Sequence, residues 1–318
     1  MNTRRSALRA LGGGIATVAR APFVLAGVAI VTLLIALPFA AVLESRLQSS
    51  LSVQPHISLD DTEIDAEWWQ EFRRHARGLA ATFTPAVLGF AATLDGISNI
   101  LDGRSIPAAL VAPLLVSMAA WSFLWGGILR RFRLARGIGI VGFVRAGTAH
   151  FVPFMAIAMI AAAVNLLLFL TIHRLLFGPV YRALTAMTTN ERDAFIVRAI
   201  LYALFFSLPA AVSVIADYAR VAAASGSRGG PIALLRTSMA FVRRQAAAVV
   251  LLFALIGAIF ISITVGYGVL EVAGGSAVGG WRAVAIGQAY VLIRLAIRLT
   301  FAASELRLFN ANQAAAAE

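Results

Sequence analysis

Six apolar segments, each long enough to cross a bilayer, constrain this chain more than anything else in it. They run 22–43, 108–129, 151–170, 194–216, 246–270 and 281–301. A helix needs about 20 mostly apolar residues to cross the hydrocarbon core. In hydrocarbon the backbone N–H and C=O groups find no water, so a spanning segment must bond them internally. The alternating ten-residue pattern of a membrane barrel is absent. The sequence therefore predicts an all-α, polytopic membrane protein, with six transmembrane helices arranged as three hairpins. Composition agrees: 13% of residues are charged, against about 25% in a soluble domain. The first segment lies where a signal peptide would, but its apolar run is long. "LPFAAVLES" lacks a good small-x-small cleavage site, so an uncleaved span is expected.

Arginine placement gives the orientation. All 27 basic residues are Arg. If both termini are cytoplasmic, segments 1–21, 130–150, 217–245 and 302–318 hold 15 of them against three acids, Asp217, Glu305 and Glu318. The opposite side holds ten Arg and twelve acids. By the positive-inside rule this predicts a bacterial inner-membrane protein, N-in and C-in. The basic side then faces anionic lipid, and membrane phospholipid is the expected partner. A nucleic-acid footprint is a poor account of the net charge of +12, because the charge sits at span ends.

The cytoplasmic stretches share a style. "SALRALGGGIATVARAPFVL", "RLARGIGIVGFVRAGTAHFVPFM" and "GPIALLRTSMAFVRRQAAAVVLL" each deliver an Arg (Arg20, Arg145, Arg243) just before a span. In the third, Leu234, Leu235, Met239 and Val242 recur at helical spacing, with Arg236 and Arg243 on another face. The plan is three repeats of interfacial helix, span, outer loop and span. Segment 1–21 is then a cytoplasmic amphipathic segment, 130–150 a cytoplasmic interfacial loop, 217–245 a loop with an interfacial helix, and 302–318 a cytoplasmic tail. Residues 44–107 form an extracytoplasmic helical cap. Within it Asp60 and Glu63 suit a capping box, and Pro85 ends the helix. Trp68, Trp69, Phe72, Leu79 and Phe83 make an aromatic face for the outer leaflet. A second amphipathic piece carries Asp95 and Asn99 on its polar side.

"GPIALLRTSMAFVRRQAAAVVLLFAL", preceded by "ADYARVAAASGSRG", resembles the multi-pass membrane domain joined to some bacterial glycerophosphoryl diester phosphodiesterases. There an amphipathic Ala-Leu-Arg helix leads into a span, and the span before it ends in a Tyr-Ala-Arg step. Here those elements are Ala233-Leu234-Leu235-Arg236 and Tyr218-Ala219-Arg220. The resemblance covers this stretch closely and the six-span plan loosely. It implies membrane architecture; the soluble phosphodiesterase domain is not among these residues, so it implies no activity.

Signatures of chemistry are missing. There is no Cys, hence no thiolate nucleophile or Cys-ligated metal. The four His are scattered, HExxH and a Walker A loop are absent, and "LGGGIATVAR" lacks the context of a dinucleotide turn. Neither His150 nor His173 has the company a lipid phosphatase would need. Ser117, Ser122, Ser207 and Ser213 are ordinary helix glue, the clustered Asp of CDP-alcohol transferases is missing, and so is an importer-permease coupling loop. No catalytic residue, metal or cofactor is expected.

The polar residues at membrane depth are the candidates. Arg294 and Arg298 lie four apart on one face of the last span. At ~1.5 Å per residue, Arg294 is ~20 Å from Trp281, about 10 Å inside a ~30 Å hydrocarbon core. Arg298 is shallower and can snorkel. Asp217 ends the fourth span at a similar depth and could pair with either. Arg294, Arg298 and Arg220 could form a basic pocket for a lipid phosphate. Asn165 sits mid-span, where an interhelical hydrogen bond is usual. Pro113, Pro153 and Pro209 are expected to kink helices, and Gly257, Gly266 and Gly268 to permit close packing. The expected function is non-enzymatic: a structural or assembly subunit of a membrane complex that contacts anionic lipid, with a membrane-protein partner or second copy. A lipid or small-molecule transporter is the alternative, predicting a water-accessible cavity lined by Asn165, Asp217 and Arg294. A lipid-modifying enzyme is the third.

Overall fold

The computed structural model describes residues 3–51, 66–83, 89–104, 106–134, 137–227, 229–274 and 281–317. Among them the protein is all-α. Asp60, Glu63, Pro85, Arg136, Arg228 and Glu318, together with the side chain of Asp95, lie outside the described residues. Six helices are long and apolar enough to cross a membrane: Pro22–Ser50, Ala108–Arg133, Ile140–Thr185, Glu191–Ala224, Ala246–Gly274 and Trp281–Ala314. Even the best-packed of them has only 22% of its most apolar window buried within the protein. The remaining apolar surface requires a lipid solvent, so this is a multi-pass membrane protein.

In chain order the helices are α1 (Thr3–Ala19), α2 (Pro22–Leu51), α3 (Ala66–His75), α4 (Gly89–Leu101), α5 (Val111–Arg133) and α6 (Ile140–Leu168). Two π-helical turns, Phe169–His173 and Leu176–Val180, carry α6 on to α7 (Tyr181–Thr185). Then follow α8 (Glu191–Ala224), α9 (Pro231–Arg244), α10 (Ala246–Gly274) and α11 (Trp281–Ala317).

Local chemistry sets several of these boundaries. Asn190 caps α8 by accepting from the Arg192 N–H at 3.0 Å, and Glu191 and Asp193 meet the positive helix end. At the other end Gly226, at φ +98°, closes a Schellman motif. Its N–H reaches the Ala223 carbonyl at 3.1 Å, and Ser227 reaches Ala222 at 3.0 Å. Pro231 then opens α9 at its first turn. Pro38, Pro153 and Pro209 lie inside continuous helices.

The three hairpins are not equivalent. Separate surface helices exist before the first span (α1) and the fifth (α9). In the second copy α6 begins at Ile140 and runs into its span without a break. Pro22 stops α1 and Gln245 interrupts the path from α9 to α10. The apolar run 140–150 contains no such break, so the interfacial segment and its span merge.

Nor do α1 and α9 lie free on a surface. Helix α1 packs on the C-terminal half of α11 and on α10, burying Ala7, Ala10, Leu11 and Val18. A Cβ on Gly14 would collide with Ser304 and sit 2.9 Å from the Thr300 carbonyl, so Gly14 is a point where α1 docks closely on α11. Helix α9 folds back on α8. The Ser238 hydroxyl donates to the Ile215 carbonyl at 2.6 Å, and Phe241 packs 4.9 Å from Tyr218. Its buried face is therefore Leu234, Ser238 and Phe241, while Met239 is exposed.

Of the three glycines in the fifth span, Gly268 is buried. Gly257 and Gly266 face open space. The tight crossing is α5 on α6, where a Cβ on Gly126 would lie 2.6 Å from the Ala146 carbonyl and one on Gly147 2.7 Å from the Phe123 ring.

At the opposite end from the termini, His173 Nε2 donates to the Leu101 carbonyl at 2.9 Å, tying α4 to the helix after α6. Its ring lies among Phe169, Phe177 and Phe205. Trp68 faces inward, at 3% exposure, against Phe72 and Leu47, and donates to Ser50 Oγ at 3.2 Å. Trp68 and Phe72 of α3 thus close a small core against α2 rather than pointing outward. Trp69 is half-buried in the same cluster.

Candidate functional site

Three helix stripes meet near the arginine-rich end. Helix α11 contributes Arg294, Arg298, Phe301, Ala302 and Glu305, which share one face at helical spacing. Helix α5 contributes Trp121, Trp125 and Leu129 at four-residue intervals. Helix α8 contributes Asp217, Arg220 and Val221. Between them lie two spaces of different character, with Arg298 in the wall of both.

The first is a cavity of about 160 Å³ bounded by Asp217, Arg220, Arg298, Glu305 and the apolar walls Trp125, Leu129 and Phe301. Arg220 donates to Asp217 Oδ1 across one turn of α8, and both side chains are largely covered, at 15% and 27% exposure. Glu305 is buried at 2% exposure, and neither its Oε1 nor Arg220 Nε has a protein partner. The cavity has room for several water molecules and polar partners for them. Tyr218, next to Asp217, packs against Phe241 and Phe309, and its hydroxyl has no protein partner.

The second is a groove of about 470 Å³ between α2, α5, α10 and α11. Its walls are mostly apolar: Phe253, Ile256, Phe260, Val291 and Phe301 among them. Among the described residues its only charges are Arg294 and Arg298, and both are exposed. The Arg298 guanidinium carbon stands 3.6 Å from the Trp121 ring centre and 5.6 Å from Trp125. Arg294 stands 5.6 Å from Tyr290 and 6.0 Å from Phe260. Tyr290 is itself fixed, stacked on Tyr267 at 4.2 Å and bonded to Thr264 Oγ1 at 3.0 Å. Ring faces attract cations by about 0.5–2 kcal/mol, which lowers the cost of holding Arg in hydrocarbon without removing its charge. Among the described residues neither arginine has an acid within ion-pairing distance.

Asp217 is therefore paired within its own helix, to Arg220, and not to Arg294. Asn165 on α6 borders neither space, and its buried Oδ1 has no protein partner. Arg20, Arg145, Arg236 and Arg243 are exposed and stand apart from these two spaces. Sequence reasoning passed over Trp121 and Trp125. Their four-residue spacing marks one helix face, and two tryptophans on one face near membrane depth are natural seats for a cation. Among the described residues no group of three or more His, Cys, Asp or Glu could hold a metal ion. Comparison with protein families, with characterised proteins and with solved structures gives no match.

Proposed function

We propose that the protein is a non-enzymatic, multi-pass protein of the bacterial inner membrane that holds an anionic phospholipid in the groove beside α11. In this reading it organises, or is a subunit of, a membrane assembly. The observation that carries it is the pair Arg294 and Arg298, exposed in an otherwise apolar groove whose described wall holds no acid. A charged side chain at membrane depth costs roughly 2.5–3.5 kcal/mol even on permissive scales. Such residues persist when they face a partner. Here the apolar walls suit acyl chains, and the guanidinium forks suit a phosphate bidentately. The 15 Arg on the side holding both termini support an N-in, C-in orientation. The resemblance of residues 216–255 to the membrane domain of glycerophosphoryl diester phosphodiesterases fits the same architecture.

The test is lipid retention. Wild-type protein and the Arg294→Leu, Arg298→Leu variant are purified in mild detergent, and bound lipid is counted by native mass spectrometry. Wild type should retain anionic phospholipid that the variant loses. Equal retention by two equally folded proteins would end the lipid reading.

A further inference from the structure

We infer that a second, separate crevice, between α1, the end of α5 and the last turns of α11, is a binding site for a polyvalent phosphate ligand. The crevice is about 700 Å³ and six arginines line it: Arg5, Arg9, Arg20, Arg131, Arg133 and Arg307. Its other polar groups, such as Ser6, Thr17 and Asn310, are neutral, and no acid lines it. None of the six makes an ion pair among the described residues. The volume falls within the range of ordinary small-ligand sites, roughly 300–1,000 Å³.

Two features separate this from a merely basic surface. The first is that half of the arginines are held in place. Arg133 donates to the Ala224 carbonyl at 2.7 Å. Arg131 donates to the carbonyls of Arg20 and Leu134, each at 3.4 Å. Arg307 donates twice to Thr17 Oγ1, at 3.2 and 3.0 Å, and can do so because Gly13 has no side chain. A Cβ there would lie 2.7 Å from the Arg307 guanidinium. A guanidinium has five N–H donors, so each of these three keeps most of its donors for a ligand.

The second feature is that α1 is built against its own electrostatics. Arg5 and Arg9 are four apart on one helix face, a like-charge spacing that destabilises a helix. Both are exposed and bond nothing among the described residues. Converging charge of this density, beside an apolar core, focuses a positive potential into the crevice. An anion with two or more phosphate groups matches it best, because each phosphate can take paired N–H donors from separate arginines. Such an anion could be a soluble pyrophosphate-type compound or a lipid headgroup bearing two phosphates.

Inorganic tripolyphosphate is titrated into detergent-solubilised protein at fixed ionic strength, and cardiolipin retention is measured from phosphatidylcholine nanodiscs doped with it. Wild type should bind one of these saturably. Arg5→Gln with Arg9→Gln should weaken that binding about tenfold or more. So should Arg20→Gln in part, since its side chain also bonds nothing among the described residues. Arg236→Gln with Arg243→Gln removes equal charge from α9 and should change it less than about twofold. Arg294→Leu should leave tripolyphosphate binding unchanged, which keeps this site distinct from the groove. Saturable tripolyphosphate binding assigns a soluble ligand; cardiolipin retention alone, lost in Arg5→Gln with Arg9→Gln, assigns a headgroup. No saturable binding of either probe, or equal weakening by both double variants, would overturn the site.

Discussion

Arg298 has a small, charge-lined space on one side and a larger, mostly apolar one on the other, and the two handle charge in opposite ways. In the smaller space Asp217, Arg220, Glu305 and Arg298 line one cavity, so opposite charges compensate within the protein. In the groove Arg294 and Arg298 meet only ring faces and aliphatic walls. The cavity gathers acids and arginines of α8 and α11 in one place, with the Asp217–Arg220 pair inside α8. The groove leaves Arg294, and the side of Arg298 that faces it, for something outside the protein to neutralise. Damage to the first should therefore be felt as lost stability whatever the lipid, and damage to the second only where anionic lipid is present.

Arg220→Leu should have the largest effect. It strips Asp217 of its partner and leaves two acids in a covered site with one arginine. Removing one member of a buried pair costs about 3–5 kcal/mol. Denaturation in detergent should show that loss equally with and without added anionic lipid. Adding Asp217→Asn to Arg220→Leu should recover part of it, because the uncompensated charge is gone. A loss that disappears on adding anionic lipid would mean that the cavity, too, relies on a partner.

Gly14→Leu should come next. The new side chain would force α1 from α11 at Thr300 and Ser304, away from the groove. Overpacking a fitted contact costs about 1–3 kcal/mol. Gly257→Leu is the matching change on the groove side, where nothing lies within 4 Å of a new Cβ. It should leave stability in lipid-free detergent nearly unchanged while crowding the space a lipid chain would take. Thermal unfolding of the two variants side by side measures the contrast. Equal destabilisation would show that the groove is packed shut in solution.

The spans were legible in the sequence because hydropathy is a local property: twenty apolar residues in a row have one physical outcome. So was the charge asymmetry between the two ends. What escaped was which face meets which. Nothing local separates Gly14 from Gly12 in the triple-glycine run, and only the presence of Ser304 opposite Gly14 makes it a docking point. Asp217 and Arg220 stand three apart, a pairing distance on any helix, yet depth alone points equally well to Arg294. Trp68 carries the composition of a leaflet anchor, and the nearness of Leu47 and Ser50 turns it inward. The merging of 140–150 into α6 follows from the lack of a break there. Its similarity in style to the other two copies hid that difference. Arg9, Arg131 and Arg307 belong to three segments far apart in the sequence, so only the fold brings them together around one crevice.

Arg294→Leu should give the smallest change in bare detergent and the most informative one in lipid. The side chain loses a ring contact worth about 0.5–1 kcal/mol at an exposed site. It gains an aliphatic group that suits the apolar wall, so the net effect on stability should stay within about 1 kcal/mol. Anionic lipid that binds the folded state stabilises it by about 2.7 kcal/mol at a hundredfold excess over Kd. Titrating phosphatidylglycerol should therefore raise the unfolding midpoint of the wild type, leave Arg294→Leu behind, and open a gap between them that phosphatidylcholine does not open. Arg220→Leu should show the reverse pattern, a gap present from the start and constant throughout. Parallel curves for wild type and Arg294→Leu would mean that the groove's charges are compensated within the protein after all, and that the two sides of Arg298 do not differ.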